Sequence, residues 1–210
     1  MFRLTLTTDI GQNDTYIDSL VIRRYSDLSK APVPPDKGAF ETGVYRNLLV
    51  ERGYDPASVQ KRLASTYEQL FHGDVDNQTV MYSAGSNRFG AMAYIKDIGN
   101  GDIRSEGMSY GMMIAVQMDR QEDFDAIWNW ARTYMYNDYP NHPCYGFFSW
   151  QMKDDGTAMD EMPAPDGEEY FIMSLFFASH RWGDGEGIFD YKKEALDLLD
   201  KFKNRKRITG

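Results

Sequence analysis

A single cysteine, Cys144, excludes any disulfide within this chain and leaves its redox compartment open. Histidine is almost as scarce. His72, His142 and His180 lie far apart, no two of them at metal-ligand spacing, so the sequence offers no zinc site and implies neither metal nor cofactor. No apolar run approaches the roughly 20 residues needed to span a bilayer. The opening residues alternate, Phe2, Leu4 and Leu6 against Arg3, Thr5 and Thr7, where a signal peptide would be continuously apolar. Basic side chains are outnumbered, 23 Lys and Arg against 32 Asp and Glu, giving a formal net charge of -9 and a pI near 4.8. Nucleic acid and anionic membrane surfaces are therefore poor partners, since both need clustered positive charge. A neutral ligand is easier to accommodate.

What is present is a soluble globular composition long enough, at 210 residues, for one sizeable core and a small appendage. Aromatic residues make up 14%, with four Trp and fourteen Tyr, which suits sugar stacking and equally suits an ordinary core. Residues 1–24 stand apart from the rest. The alternation at Phe2, Leu4 and Leu6 predicts one strand, the run Tyr16 to Arg23 predicts a second, and the turn-rich segment Gly11 to Asp14 lies between them. Two strands do not make a stable domain, so this segment is expected to be the end of a truncated β-sandwich module. The proline-rich stretch within residues 25–37 predicts a stiff, extended linker.

Beyond Phe40 the pattern is helical. Val59, Leu63, Tyr67, Leu70 and Phe71 form one apolar face after a cap at Asp55 and Pro56; Phe124, Ile127, Trp128, Ala131 and Met135 form another; Ala195, Leu198, Leu199 and Phe202 a third. Two further helices differ. Met108, Met112, Met113, Ile114 and Val116 in one, and Phe171, Ile172, Leu175, Phe176, Phe177 and Ala178 in the other, cover most of the circumference, which predicts burial on nearly every side. Amphipathic helices alternating with apolar ones imply two concentric layers and a mainly α fold.

Each of those two apolar helices opens on an acid, Glu106 in one and Asp166 in the other. Paired carboxyl groups at the mouths of buried helices suit general acid and base work on a glycosidic bond. The structural alternatives are equally definite. Glu106 follows Ser105, a good N-cap, and would complement the helix dipole; Asp166 and Glu169 have the spacing of a capping box, leaving Glu168 without capping duty. If Glu106 is a general acid it must hold its proton near neutral pH. The helix terminus opposes this by about 0.3–1 kcal/mol, whereas burial or a neighbouring carboxylate raises a pKa by up to about 3–5 units. Glu106 should then be desolvated or close to another acid. A competing pattern, Gly107-x-Ser109-x-Gly111, fits the nucleophile elbow of serine hydrolases with His142 or His180 as base, although that elbow needs a strand before the serine and Asp102 to Glu106 makes a poor one.

At these residues the chain resembles glycoside hydrolase family 8. The resemblance is carried by Gly38 to Phe40, Tyr45 to Asn47, Ser105 to Met113, Val116 to Asp119, Ile127 to Trp130, Pro163 to Phe171 and Phe176 to Asp184, and runs from residue 38 to the end. It implies an inverting hydrolase of β-1,4-linked xylo-oligosaccharides or xylan, releasing xylose from the reducing end. The implied fold is a barrel of six inner and six outer helices, (α/α)6, of which residues 38–210 form roughly the first half. It also implies that Glu106 is the general acid and that Asp166 helps hold the distorted sugar or the attacking water. Trp150 would stack on a sugar ring, with Tyr110 and Glu168 as further substrate contacts; Glu168 stands where the family signature has Asp. The family's general base lies in a later half, so this chain is expected to be an inactive fragment: a possibly carbohydrate-binding β segment at 1–24, a linker at 25–37, and a partial barrel. The alternatives are an endo-acting xylanase or other β-glucanase of the same family, and a sugar-binding protein without catalysis. A sandwich fused to the barrel favours a secreted or periplasmic location over a cytoplasmic one. Oligomeric state is left open.

Overall fold

The computed structural model describes the backbone of residues 2–6 and 17–22 and all of residues 47–204. The chain divides into two compact units, Met1–Gly53 and Tyr54–Gly210. In the first, β1 (Phe2–Leu6) pairs antiparallel with β2 (Ile17–Ile22), setting Phe2 opposite Ile22 and Leu4 opposite Leu20. Both strands fall where the alternation predicts them. The proline-rich linker and the motif residues 38–46 lie outside the described residues. A single-turn helix, α1 (Leu48–Glu51), closes the unit, with the Asn47 side chain accepting from the Val50 N–H at 3.2 Å.

The second unit begins with α2 (Pro56–His72). Its start is the one foreseen: Asp55 is the extended N-cap, its carboxylate accepts from the Ser58 N–H at 2.8 Å, and proline follows at the first helical position. Its apolar face is narrower than predicted. Val59, Tyr67 and Phe71 are buried, whereas Leu63 and Leu70 stay 47% and 38% exposed. The helix meets the rest of the unit along one seam, where Tyr67 donates to Asp123 at 2.6 Å and the Val80 N–H donates to the Leu70 carbonyl at 2.9 Å.

A five-stranded antiparallel sheet follows, in the order β3 (Met81–Asn87), β4 (Gly90–Asp97), β5 (Asp102–Arg104), β6 (Gln151–Met152) and β7 (Ala158–Asp160). The sequence reading had this region helical and missed the sheet. Three of its strands have only two or three residues, too few for alternation to show. Asp102–Arg104, read as a poor strand, is held on both sides: Lys96 lies opposite Ile103, and Ile103 opposite Met152.

The remaining helices are α3 (Ser105–Gln117), α4 (Gln121–Trp130, continued by a π-helical turn over Ala131–Met135), α5 (Pro165–Trp182) and α6 (Tyr191–Asn204). The α4 face is buried as predicted, Phe124, Ile127, Trp128, Ala131 and Met135 each having 0% exposure. Beneath the sheet, Trp128, Phe148 and Phe171 form an aromatic knot, Phe148 and Phe171 having centroids 4.5 Å apart. Full burial of one such side chain is worth about 1.5–3 kcal/mol. The all-round burial expected of α3 and α5 fails on one side. Ile114 and Phe177 are 42% and 46% exposed, and with Tyr110, Tyr170 and Met173 they leave an open apolar stripe on two adjoining helices. The fold is thus mostly helical with a small antiparallel sheet.

Asp125, on α4, accepts a short hydrogen bond from the buried Tyr191 hydroxyl. Burial pushes its carboxyl up to about 6, against the opposing pull of that bond. Between the ordinary value of 3.8 and about 6 the folded chain therefore holds a proton that the unfolded chain has lost. The stability this group contributes falls as pH rises through that window and is level above it. Replacing Asp125 by Asn removes the titration, so the urea midpoint of Asp125→Asn should gain on that of the wild type between pH 4 and pH 7. A constant difference across that range would show Asp125 ionising like a solvated carboxylate.

Candidate functional site

The site is assembled around Ser105. The sequence made this residue the N-cap of α3; in the structure Arg104 occupies that position, and Ser105 is the first helical residue, 1% exposed. The sheet accounts for the difference, because the Ser105 N–H is taken by the Trp150 carbonyl at 3.0 Å. The Ser105 hydroxyl donates instead to the Glu106 carboxylate, at 3.4 Å. Over Ser105 lies Gly167, the third residue of α5. A Cβ at position 167 would come within 2.6 Å of Ser105 Oγ and 3.2 Å of its carbonyl carbon, so two helices begin side by side only because glycine stands there.

That contact sets side by side the first turns of α3 and α5, which carry the two sequence-predicted acids. Asp166 is exposed, with Pro165 ahead of it as first helical residue and Ala164 as the cap, which makes no side-chain cap bond. The capping box of Asp166 and Glu169 does not form, since Pro165 starts the helix one residue earlier than that pattern requires. Asp166 lies instead within charge reach of Tyr110, one turn along α3 from Glu106. The Tyr110 hydroxyl is pushed above its ordinary pKa by desolvation first, then by the charges of Asp166, Tyr170 and Glu106. One phenol therefore senses both acids. Glu106 is half-buried.

Trp150 is half-buried beside Ser105, with its own N–H on the Met162 carbonyl at 3.0 Å. Glu168, expected as a sugar contact, is only 3% exposed, and its Oε1 accepts from the Phe148 N–H at 2.8 Å. It ties α5 to the segment that carries Trp150. Arg104 was not singled out from sequence, yet its guanidinium carbon lies 5.5 Å from the Trp150 ring centroid. The only signal was Asp102 and Arg104 flanking an apolar Ile103, an alternation three residues long. Among the described residues no cluster of His, Cys, Asp and Glu is arranged to hold a metal, and no helix is long and apolar enough to cross a membrane.

The serine-hydrolase pattern does not assemble. Ser109 is fully buried inside α3 and its hydroxyl donates to the Glu106 carbonyl at 3.1 Å. His142 pairs with Glu161 at 3.2 Å, and His180 with the Phe176 carbonyl at 2.9 Å.

Tyr110 thus lies within charge reach of two acids, Glu106 and Asp166, and the Trp150 carbonyl bonds the residue that precedes Glu106. Residues 94–210 match the model for glycosyl hydrolases family 8, and the chain belongs to that family. It is 51% identical over 164 residues to a reducing-end xylose-releasing exo-oligoxylanase of Halalkalibacterium halodurans, covering 78% of this chain and 40% of that protein. A reducing-end xylose-releasing exo-oligoxylanase of Paenibacillus barcinonensis is 47% identical over 163 residues, covering 78% and 41%. The crystal structure of a catalytic mutant of a family 8 xylanase from Teredinibacter turnerae, in complex with xylohexaose, superposes with a TM-score of 0.79 at 54% identity. It covers 82% of this chain and 44% of that one. The chain thus spans about two fifths of the length of the curated relatives it matches.

The contact at Gly167 is testable by adding one methyl group. Overpacking costs about 1–3 kcal/mol, more than the gain of at most about 1 kcal/mol from replacing a helical glycine by alanine. Gly167→Ala should lower the urea unfolding midpoint; an unchanged or higher midpoint would mean the two helix ends separate without strain.

Proposed function

We propose that this chain is the first part of an inverting hydrolase of β-1,4-linked xylo-oligosaccharides that releases xylose from the reducing end. The observation that carries the proposal is a phenol, Tyr110, within charge reach of both Glu106 and Asp166, in a segment 47–51% identical to two proteins named for that activity. In this reading Glu106 is the general acid and protonates the departing xylose oxygen. Asp166, beside Tyr110, positions the distorted sugar or the attacking water. Trp150 stacks on a sugar ring, Tyr110 borders the cleft, and Glu168 acts indirectly, by fixing the segment that precedes Trp150 through the Phe148 N–H. The general base is supplied from outside residues 1–210, since inversion needs a second carboxyl about 6.5–9.5 Å away with room for water between.

The helices fit an (α/α)6 barrel in which α3 and α5 belong to the inner ring and α2, α4 and α6 to the outer. The open stripe of α3 and α5 is where further inner helices pack. The β1–β2 pair is the end of a sandwich module, with residues 25–37 as the linker to the barrel. An endo-acting xylanase is the second reading, favoured by the 54% identity to the Teredinibacter turnerae xylanase.

Incubation with xylotriose, analysed by chromatography, tests the proposal. The 210-residue chain should release no xylose above background, whereas a protein extended to the length of its relatives should. In that longer protein Glu106→Gln should lower kcat by about 10²–10⁴-fold, the usual range for a general acid; full activity in the variant would remove Glu106 from the role. Turnover by the 210-residue chain would place the base at Asp166 or Glu168. Mixed oligomers from longer substrates, in place of single xyloses, would mark endo action.

The uncovered stripe carries its own expectation. Apolar patches of this kind drive association, so sedimentation should show concentration-dependent self-association of the 210-residue chain, reduced in Phe177→Glu. A monomer at all concentrations would show that the stripe is tolerated in water.

A further inference from the structure

Asp102 is 5% exposed, yet neither catalysis nor a cap accounts for it. In β5, Asp102 and Arg104 share one face of the strand while Ile103 between them is fully buried in the core. The Asp102 carboxylate accepts from Arg104 Nε at 3.0 Å and from Arg104 NH2 at 3.3 Å, a two-point grip on the planar guanidinium. Gln151, directly opposite Arg104 in the β5–β6 register, donates a further short hydrogen bond to the same carboxylate. Asp97, opposite Asp102 in β4, lies 3.4 Å from Arg104 Nε and is itself pinned by the Gly99 and Asn100 N–H groups. Arg104 is thereby fixed at its base while its far side lies over the Trp150 ring, 5.5 Å from the centroid. That separation is within the roughly 6 Å over which a cation is attracted to an aromatic face.

We infer that Asp102 is a positioning residue of the sugar site: through Arg104 it holds one face of the Trp150 indole and so fixes the plane on which a sugar ring stacks on the other face. The inference rests on the proposed sugar-binding role of Trp150. An indole has two faces, and a cation held over one leaves one for the ligand. Asp160 lies opposite Gln151 in the β6–β7 register, and its carboxylate accepts from the Met162 N–H at 2.9 Å. The Trp150 side chain lies close enough to help hold that carboxyl below its ordinary pKa. A buried, uncompensated carboxylate is costly; Asp102 is tolerated because Arg104 and Gln151 satisfy it, and the product of that arrangement is an ordered guanidinium at the edge of the cleft.

Arg104→Lys is the discriminating variant, because it keeps the charge but loses the planar two-point fork. Arg104 is partly exposed and lysine keeps the charge beside Asp102, so this variant should fold with a modestly lowered unfolding midpoint, and binding is compared where both proteins are fully folded; Asp102→Asn is the companion. The affinity of the 210-residue chain for xylotriose is measured by titration, with the Trp150 indole N–H resonance, assigned by its absence in Trp150→Phe, as an independent readout. Both variants should weaken xylotriose binding about tenfold and shift the indole resonance. Affinities equal to that of the wild type, with binding lost only in Trp150→Phe, would overturn the inference and leave the proposed function standing. Absence of xylotriose binding by the wild type, or wild-type affinity in Trp150→Phe, would sink the sugar-binding role of Trp150 and this inference with it. Variants that shift only the unfolding midpoint would reduce Asp102 to a folding role.

Discussion

Gly167 has no side chain, and the site depends on that fact. With its Cα resting on Ser105, the first turns of α3 and α5, each carrying an acid, start side by side. A larger residue would crowd the Ser105 Cβ and carbonyl carbon and press the two helix ends apart. Ser105 is small for the complementary reason: it lies under Gly167 while its N–H belongs to the Trp150 carbonyl. One residue thereby links both acids to the indole, and the relative placement of three side chains from three elements reduces to contacts around a single buried serine.

Support comes from beneath. Glu168 bonds the Phe148 N–H, and the Phe148 ring packs on Phe171, three residues further along the same helix as Glu168, and on Trp128 of α4. The segment preceding Trp150 is therefore tied to α5 by a buried hydrogen bond and by aromatic packing together. The strand that leads into α3 in turn brings Arg104, gripped by Asp102, over the Trp150 ring. The sheet is small, but its register sets Arg104 between Asp97, Asp102 and Gln151 and so decides what lies over Trp150.

The acids were legible in the sequence because each heads an apolar helix, and so was the fully buried face of α4, whose period is regular over three turns. The reading went wrong where a pattern was too short or a local rule had a stronger rival. Ser105 has the chemistry of an N-cap, but a strand hydrogen bond from its N–H draws it into the helix. Asp166 and Glu169 have the spacing of a capping box, but Pro165 starts the helix one residue early. Strands of two or three residues carry no periodicity, so β5, β6 and β7, and with them the pairing of Arg104 with Gln151, were invisible. Ile114 and Phe177 were read as buried from hydrophobicity alone, which reports what a residue can bury against and not whether a neighbour is there.

The stripe running from Glu106 past Tyr110 to Ile114, and from Asp166 past Tyr170 to Phe177, links two properties that are usually separate. A segment that settles on it gains apolar contact and in the same act strips water from the acids at its head, lowering the dielectric around them. Tightness of closure and readiness to hold a proton would then vary together, and a substitution anywhere along the stripe would be felt in both.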